Sequence, residues 1–406
     1  MHLVHMAVAI GIYIIACRLV MRHLRGTIRE VIFVAFNLAG VYGFLFYGRQ
    51  SHYTAIFLIY LALVLFQYTM LRVFAEKKGS LPWFAFFTPI AALVIVRYAP
   101  ASFFSGLLHI IGTAWSGTIV LVGISYLAFR TSRLVLEVRN GSVPMPKLCE
   151  YLNFSFFLPT MPVGPINSYE NYRRGFGPAP FDVPVGRAAL RILVGLVKYQ
   201  FLGGIFSQLG YTAFLLDDHP HPWMDLPIAM LFYYLFLYCN FSSFCDMAIG
   251  AAGLIGIPVP ENFDNPFAAR NVKDFWNRWH ITLSQYMRDI VFAPLSKFLV
   301  RLAGPPIADH AIALTILVVF LLVGIWHGVG WNFAAFGAFH AAGVAANHYY
   351  TMFLKKRLGR ERFKAYNENR WIHAVAVVLT FSYCAASFFL FANTFPDMKQ
   401  ILSILR

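Results

Sequence analysis

Long apolar runs separated by short polar connections dominate the chain. A membrane-spanning helix needs about 20 mainly apolar residues, and this length divides the runs into about eleven spans of an all-α, polytopic membrane protein. No connection is long enough to fold separately, so residues 1–406 are expected to form a single transmembrane domain. The predicted spans are Val4–Met21, Val31–Tyr47, Tyr53–Phe74, Trp83–Tyr98, Leu107–Phe129, Leu152–Ile166, Ala188–Tyr211, Leu226–Ile257, Ile312–Ile325, Phe333–Phe353 and Ile372–Phe391.

One predicted span, Leu152–Ile166, is interrupted by helix-breaking residues. Irregular backbone is tolerated at membrane depth only where protein or a water-filled cavity satisfies its polar groups. We therefore expect this segment to line an internal cavity. The interrupting residues are Pro159, Pro162, Gly164 and Pro165.

The composition excludes a soluble or a disordered protein. Hydrophobic residues make up 59% of the chain and charged residues 13%, with a mean hydropathy of +0.62. A soluble domain carries roughly 25% charged residues. The cysteines form no CxxC pair, so no disulfide, structural metal or bound cofactor is expected. They are Cys17, Cys149, Cys239, Cys245 and Cys384.

The basic residues predict an orientation in the membrane. The chain has 33 Lys and Arg against 18 Asp and Glu, a net charge of +15. The positive-inside rule places the amino terminus outside and the first basic cluster in the cytosol. Binding of anionic lipid is the ordinary explanation of such an excess, and an acidic cytosolic partner is the alternative; no nucleic-acid partner is expected. The first clusters are Arg18, Arg22, Arg25 and Arg29, then Arg72, Lys77 and Lys78.

The segment 262–295 is too charged to span a bilayer but carries apolar residues at helical spacing, which predicts an amphipathic helix. Asn271 is a plausible N-cap, with Asp274 three residues later. On a helical wheel His280 lies at the edge of the apolar face, where a buried site would need it. The alternative is a surface helix whose arginines contact lipid head groups.

Two further histidines, His327 and His340, interrupt apolar helices. An ionisable residue inside a membrane is costly to bury and is by default a functional-site hypothesis. Gly328 and Gly330 predict a helix break after His327, so a neutral imidazole there could reach a cavity and take up a proton near pH 7. The alternative is a neutral histidine bonded to a backbone carbonyl. Small residues after the break predict close packing of the next helix.

At these stretches the chain resembles the membrane-bound O-acyltransferase family, and within it the branch that transfers D-alanyl groups. The resemblance extends from about residue 123 to 391. Against the pattern of that branch, the chain has Asn240 in CNFSS, while Asp246 follows as in the alginate-acetylase branch. The matching motifs are GISYLAFR, LPTMPVGPI, PENFDNPF, KDFWNRWH, TLSQYMRD, GIWHG and FGAFH.

The resemblance implies a ring of helices around a central tunnel, with His327 as the essential histidine and His280 as a second one. It also implies that an acidic acyl carrier protein presents a phosphopantetheine thioester from the cytosol, acyl coenzyme A being the less favoured donor. The expected tunnel-lining residues are Trp276, Trp326, Asn332 and His340. The expected carrier-docking residues are Arg270, Lys273, Arg278, Arg288, Lys297 and Arg301.

The implied enzyme is an O-acyltransferase of the bacterial plasma membrane. It would move D-alanyl, or alternatively acetyl, to a hydroxyl of a cell-envelope polymer such as teichoic acid, an exopolysaccharide or peptidoglycan, with or without a second transferase outside. His327 would take the hydroxyl proton as the base, and His280 would orient His327 or stabilise the oxyanion. A transporter or channel, and a scaffold for a secreted transferase, are the alternatives from other classes.

Overall fold

The computed structural model describes residues 2–46, 52–99, 122–177, 181–216 and 221–404. Helices account for most of this part of the chain, and it contains no strand beyond one isolated bridge. The chain divides into two compact units. Unit 1 comprises residues 1–195 and 244–260, and unit 2 comprises residues 196–243 and 261–406.

Unit 1 contains the helices of the first half of the chain. Its short 3-10 helices are Leu158–Thr160 and Arg174–Phe176, and a π-helix spans Tyr42–Phe46. The α-helices are α1 (His2–His23), α2 (Gly26–Val41), α3 (His52–Phe74), α4 (Pro82–Tyr98), α5 (Ile124–Arg139), α6 (Leu148–Ser155), α7 (Tyr169–Arg173) and α8 (Val185–Val197).

Unit 2 contains the segments with the candidate histidines. A long helix, α10, continues into unit 1 from residue 244. The α-helices are α9 (Gly203–Ser207), α10 (Pro222–Ile255), α11 (Val272–Arg278), α12 (Ile281–Met287), α13 (Ala293–Ala303), α14 (Ala308–His327), α15 (Trp331–Glu368), α16 (Arg370–Ala392) and α17 (Phe395–Ile404). The π-helices are Lys198–Leu202, Tyr211–Leu216 and Arg288–Phe292, and the 3-10 helices are Pro266–Ala268 and Pro305–Ile307.

Six helices in the described residues are long and apolar enough to cross a membrane, so the predicted count of about eleven is not confirmed. Val4–Met21 lies in α1, Trp83–Tyr98 in the shorter α4 and Phe333–Phe353 in α15, none of which is among the six. Residues 107–121 of another predicted span lie outside the described residues. The six are Gly26–Phe46, Tyr53–Phe74, Val185–Ser207, Trp223–Ile255, Pro305–His327 and Arg370–Ala392.

The prediction of a span at Leu152–Ile166 is wrong, while its irregular backbone is confirmed. α6 ends at Ser155, and only a short 3-10 helix follows before residue 168. The segment lies in the core of unit 1, where the Asn153 side chain is buried and donates to the carbonyl of Glu30 at 3.0 Å. Prolines prevent a continuous helix here, and a side-chain hydrogen bond satisfies part of the polar backbone, because the Leu158 amide donates to Asn37 Oδ1 at 3.4 Å.

Close packing of α14 against α15 positions the end of α14 in unit 2. A Cβ atom on Gly324 would lie 2.2 Å from the carbonyl oxygen of Phe333, and one on Gly337 would lie 2.3 Å from that of Phe320. Only glycine allows these two backbones to approach so closely. The close packing predicted from the small residues of this helix is therefore confirmed.

Candidate active site

His280 lies in a break between two helices. α11 ends at Arg278 and α12 begins at Ile281, and His280 has φ 47° and ψ 51°, in the left-handed region. Beside the break, Phe263 pairs with Trp279 in an isolated antiparallel bridge. A left-handed conformation is uncommon for a residue with a Cβ atom and often marks a functional site. The prediction of one amphipathic helix through this position is wrong.

The predicted start of that helix is confirmed. The Asn271 side chain accepts a hydrogen bond from the backbone amide of Asp274 at 2.9 Å, as an N-cap does. The Asp274 carboxylate accepts from the backbone amide of Arg270 at 3.0 Å. These bonds fix the first turn of α11 and with it the position of Trp276.

Three buried polar residues meet at the break. Asn262 Oδ1 lies 3.2 Å from His280 Nδ1, and it accepts hydrogen bonds from the backbone amide of Thr282 at 3.1 Å and from the Thr282 hydroxyl at 2.9 Å. His280 is 2% exposed and Asn262 1% exposed. In the described residues, no hydrogen-bond partner faces His280 Nε2.

His280 lies outside the six candidate spans, and its surroundings favour the neutral ring. Burial lowers the pKa of His280 well below its usual value, and the electrostatic interaction with His327 adds to the lowering. Taking an imidazolium out of water is costly when no carboxylate compensates it. The ring is therefore neutral at pH 7 and able to act in proton transfer.

His340 is fully buried on α15 and is bonded to Trp276. The indole Nε1–H donates to His340 Nδ1 at 3.2 Å, with the ring centroids 5.1 Å apart. The partner of this nitrogen is thus an indole N–H and not the backbone group that the alternative explanation invoked. Among the described residues, no hydrogen-bond partner faces His340 Nε2.

His327 is the last residue of α14, and the break predicted after it is confirmed because α15 begins beyond the turn at residues 328–330. Its ring centroid lies 4.5 Å from that of Trp326, which is itself 6.0 Å from the His280 ring. Phe336 lies 6.1 Å from His327 and 4.6 Å from His340. Trp326 therefore contacts both His327 and His280, and Phe336 contacts both His327 and His340.

Asn332, also predicted to line the tunnel, is buried near the start of α15. Its amide nitrogen donates to the backbone carbonyl of Leu390 at 3.2 Å. This bond ties α15 to α16. The structure thus brings Trp276, Trp326 and His340 to the histidine cluster and gives Asn332 a connecting role.

A cavity of about 780 Å³ lies beside the cluster in unit 2. Trp276 and Phe320 form part of its wall, and both rings pack against His340, at 5.1 and 6.3 Å. The remaining wall combines aliphatic side chains with amide, cationic and other polar ones. The aliphatic residues include Ile312, Ile316, Val319 and Val323, the amides are Asn277, Gln285 and Asn347, and the cations are Lys273, Arg288 and Lys355.

The six predicted carrier-docking residues are not all at this cavity. Lys273 and Arg288 line it. Arg278 instead forms an ion pair with Asp274 at 3.0 Å. The others lie outside the described cavity wall, Arg270 just before α11 and both Lys297 and Arg301 on α13.

Sequence reasoning missed Asn262 and Lys355. Asn262 belongs to the motif PENFDNPF, which contributed to the family resemblance without a role for any of its residues. Lys355 belongs to a basic stretch for which sequence reasoning predicted no role, yet it lines the cavity. Neither role could be recognised from the neighbouring residues, because each side chain reaches its site through contacts with residues that are distant in the sequence.

Comparisons with known proteins agree on one family. The profile of the membrane-bound O-acyltransferase family, MBOAT, matches residues 90–389. A teichoic acid D-alanyltransferase of Streptococcus thermophilus is 31% identical over 293 residues, which cover 68% of this chain and 69% of the relative. All three histidines lie inside the profile match.

Two further relatives differ in what their names say they transfer. A teichoic acid D-alanyltransferase of Bacillus subtilis is 28% identical over 286 residues, 68% of this chain and 69% of the relative. A probable alginate O-acetylase AlgI of Azotobacter vinelandii is 27% identical over 226 residues, 55% of this chain and 44% of the relative. The similarity is therefore shared between D-alanyl-transferring and acetyl-transferring proteins.

Proposed function

Because this chain belongs to the membrane-bound O-acyltransferase family, we propose that it transfers D-alanyl from a carrier-protein thioester to a hydroxyl of a cell-envelope polymer such as teichoic acid. The observation that carries the proposal is the cluster of His280, His327 and His340, whose rings meet through shared aromatic contacts inside the matched region. Family membership makes the chain an O-acyltransferase and a multi-pass membrane protein. It thereby favours an enzyme over the transporter and scaffold alternatives.

The proposed reaction needs a base and a means of stabilising negative charge. The acceptor hydroxyl oxygen attacks the thioester carbonyl while His327 takes its proton. The tetrahedral oxyanion then collapses, the carbon–sulfur bond breaks, and the leaving sulfur receives the proton from His327. An ester and a free thiol result. His280 either orients the reacting groups or stabilises the oxyanion.

The cavity supports a phosphopantetheine donor. Such an arm carries a phosphate, two amide units and a terminal sulfur. Lys273, Arg288 and Lys355 suit the phosphate, while the amide side chains of the wall suit the amide units. The wall at Trp276 leads to His340, so the thioester end would approach the histidine cluster. Acyl coenzyme A carries the same arm and is the second candidate donor.

Acyl group and acceptor rest on the relatives. The two relatives named teichoic acid D-alanyltransferase favour D-alanyl and teichoic acid. The alginate O-acetylase relative favours the alternative, an acetyl group and an exopolysaccharide or peptidoglycan acceptor. In either case we place the enzyme in the bacterial plasma membrane. The acceptor would lie outside, with or without a second transferase that completes the transfer.

The proposal is tested with the full chain in liposomes. Carrier protein charged with radiolabelled D-alanine, the same carrier charged with acetate, and acetyl coenzyme A are each supplied as donor with a lipoteichoic acid acceptor. We expect discharge of the D-alanyl carrier and label in the acceptor. His327→Ala should abolish both.

The matched control is His310→Ala, which removes an exposed histidine of unit 2 that contacts Tyr349. This variant should keep the wild-type rate. Discharge of the acetyl donor alone would overturn the D-alanyl assignment in favour of acetyl transfer. Full activity of a folded His327→Ala variant would refute the role of His327.

A further inference from the structure

The orientation of the Asn262 amide follows from its hydrogen bonds. The amide oxygen and nitrogen of asparagine have nearly the same shape, so their assignment depends on the partners. Here the backbone N–H of Thr282 points at the Asn262 atom assigned as Oδ1, at 3.1 Å. A backbone N–H can only donate. The atom that faces His280 is therefore an acceptor, the amide oxygen.

That orientation determines which nitrogen of His280 carries the proton. Asn262 Oδ1 lies 3.2 Å from His280 Nδ1. Because the oxygen can only accept, a neutral His280 must donate from Nδ1, and its lone pair then lies on Nε2. Free histidine in water prefers the opposite tautomer, with the proton on Nε2. The buried asparagine thus imposes the tautomer that the ring by itself disfavours.

His340 is held as the other tautomer. The indole Nε1–H of Trp276 can only donate, and it donates to His340 Nδ1 at 3.2 Å. A neutral His340 must therefore carry its proton on Nε2. The two buried histidines of the cluster present opposite groups at Nε2, a proton acceptor on His280 and a proton donor on His340.

We infer that Asn262 is a positioning residue that holds His280 as the Nδ1–H tautomer, so that His280 offers Nε2 as a hydrogen-bond acceptor that orients the reacting groups. The inference rests on the proposed acyl transfer and deepens it. A neutral His280 of this tautomer cannot donate from Nε2, so oxyanion stabilisation by that atom is excluded. Of the two roles left open for His280, orientation of the reacting groups remains.

The tautomer can be measured without any acyl transfer. The full chain is prepared with ring-¹⁵N histidine in lipid, and the His280 signals are identified by their loss in His280→Gln. Protonated and unprotonated imidazole nitrogens have well-separated ¹⁵N shifts. At neutral pH we expect a protonated Nδ1 and an unprotonated Nε2 for His280, and the reverse for His340.

Two substitutions of Asn262 separate positioning from packing. Asn262→Leu removes the hydrogen-bond acceptor while keeping a side chain of similar size. It should move the His280 proton to Nε2 and lower kcat about 10- to 100-fold.

Asn262→Asp keeps an acceptor and should retain the Nδ1–H tautomer. The new carboxylate stabilises the imidazolium form of His280 and so raises the pKa of His280. The other titratable neighbour that acts on His280 is His327, which is unchanged in this variant. The acid limb of the kcat profile should therefore move to higher pH.

The control for loss of a buried amide is Asn153→Leu, an equally buried asparagine of unit 1. It should lower the melting temperature without changing the His280 signals. An Nε2-protonated His280 in the wild type, or an unchanged tautomer in a folded Asn262→Leu variant, would overturn the inference. Absence of acyl transfer by the wild type with every donor would refute the proposed function alone, because the ¹⁵N result does not depend on turnover.

Discussion

Chemistry at the candidate site depends on single hydrogen bonds between residues far apart in sequence. His280 and His340 are both buried imidazoles, yet an asparagine oxygen faces Nδ1 of the first and an indole N–H faces Nδ1 of the second. Each partner fixes one proton. Two residues of the same type can therefore play opposite roles, which residue type alone does not predict.

The bond between Trp276 and His340 gives a prediction at this scale. Trp276→Phe keeps an aromatic ring but removes the N–H donor and leaves the buried Nδ1 of His340 without it. The loss of such a bond costs about 1–3 kcal/mol, so the melting temperature in detergent should fall. Trp371→Phe, at an indole that is 71% exposed, should leave it nearly unchanged. Equal melting temperatures for both variants would contradict a structural role for the bond.

The sequence singled out the three histidines that the structure brings together, but not what orients them. His327 and His340 stood out because ionisable residues in apolar segments are rare, and His280 because a helical wheel places it at the edge of an apolar face. Asn262 did not, because a polar residue in a loop is unremarkable until its contacts are known. The contacts form only when residues 262–264 pair with residues 278–281, and no local pattern encodes such a pairing.

At the scale of helices, periodicity predicted the elements better than their interruptions. The apolar spacing through residues 272–291 fits one helix, yet the chain leaves the helix at His280. The break costs helical hydrogen bonds, and pairing with Phe263 and Asn262 supplies others. Glycine breaks are visible in a sequence, as after His327. A left-handed histidine imposed by tertiary contacts is not.

The contact between α14 and α15 gives a prediction for a helix pair. Gly337→Ala would place a Cβ atom 2.3 Å from the carbonyl oxygen of Phe320, so the two helices must separate. We expect destabilisation of about 1–3 kcal/mol, measured as a lower melting temperature, and reduced turnover because α14 carries His327. Gly204→Ala, whose Cβ would meet no atom within 4 Å, is the matched control and should change stability by less than about 1 kcal/mol.

At the scale of the whole molecule, composition predicted the class of protein and the all-helical fold, but not the number of spans. Hydropathy identifies apolar runs without showing whether each one crosses the bilayer. α15 illustrates this, because it combines an apolar first half with the basic residues that follow Phe353 and is not a candidate span. Runs broken by proline give the same error, as at Leu152–Ile166, where α6 ends at Ser155.

Orientation in the membrane gives the last prediction, because a cytosolic donor can reach the cavity only from the cytosolic side. Lys77 lies between α3 and α4, Lys356 follows the cavity residue Lys355, and both are exposed. The positive-inside rule places both in the cytosol and Ala99, after α4, outside. In intact cells an impermeant maleimide should label Ala99→Cys above the wild-type background. Lys77→Cys and Lys356→Cys should react only after permeabilisation, and labelling of Lys356→Cys in intact cells would leave the cavity inaccessible to a cytosolic carrier.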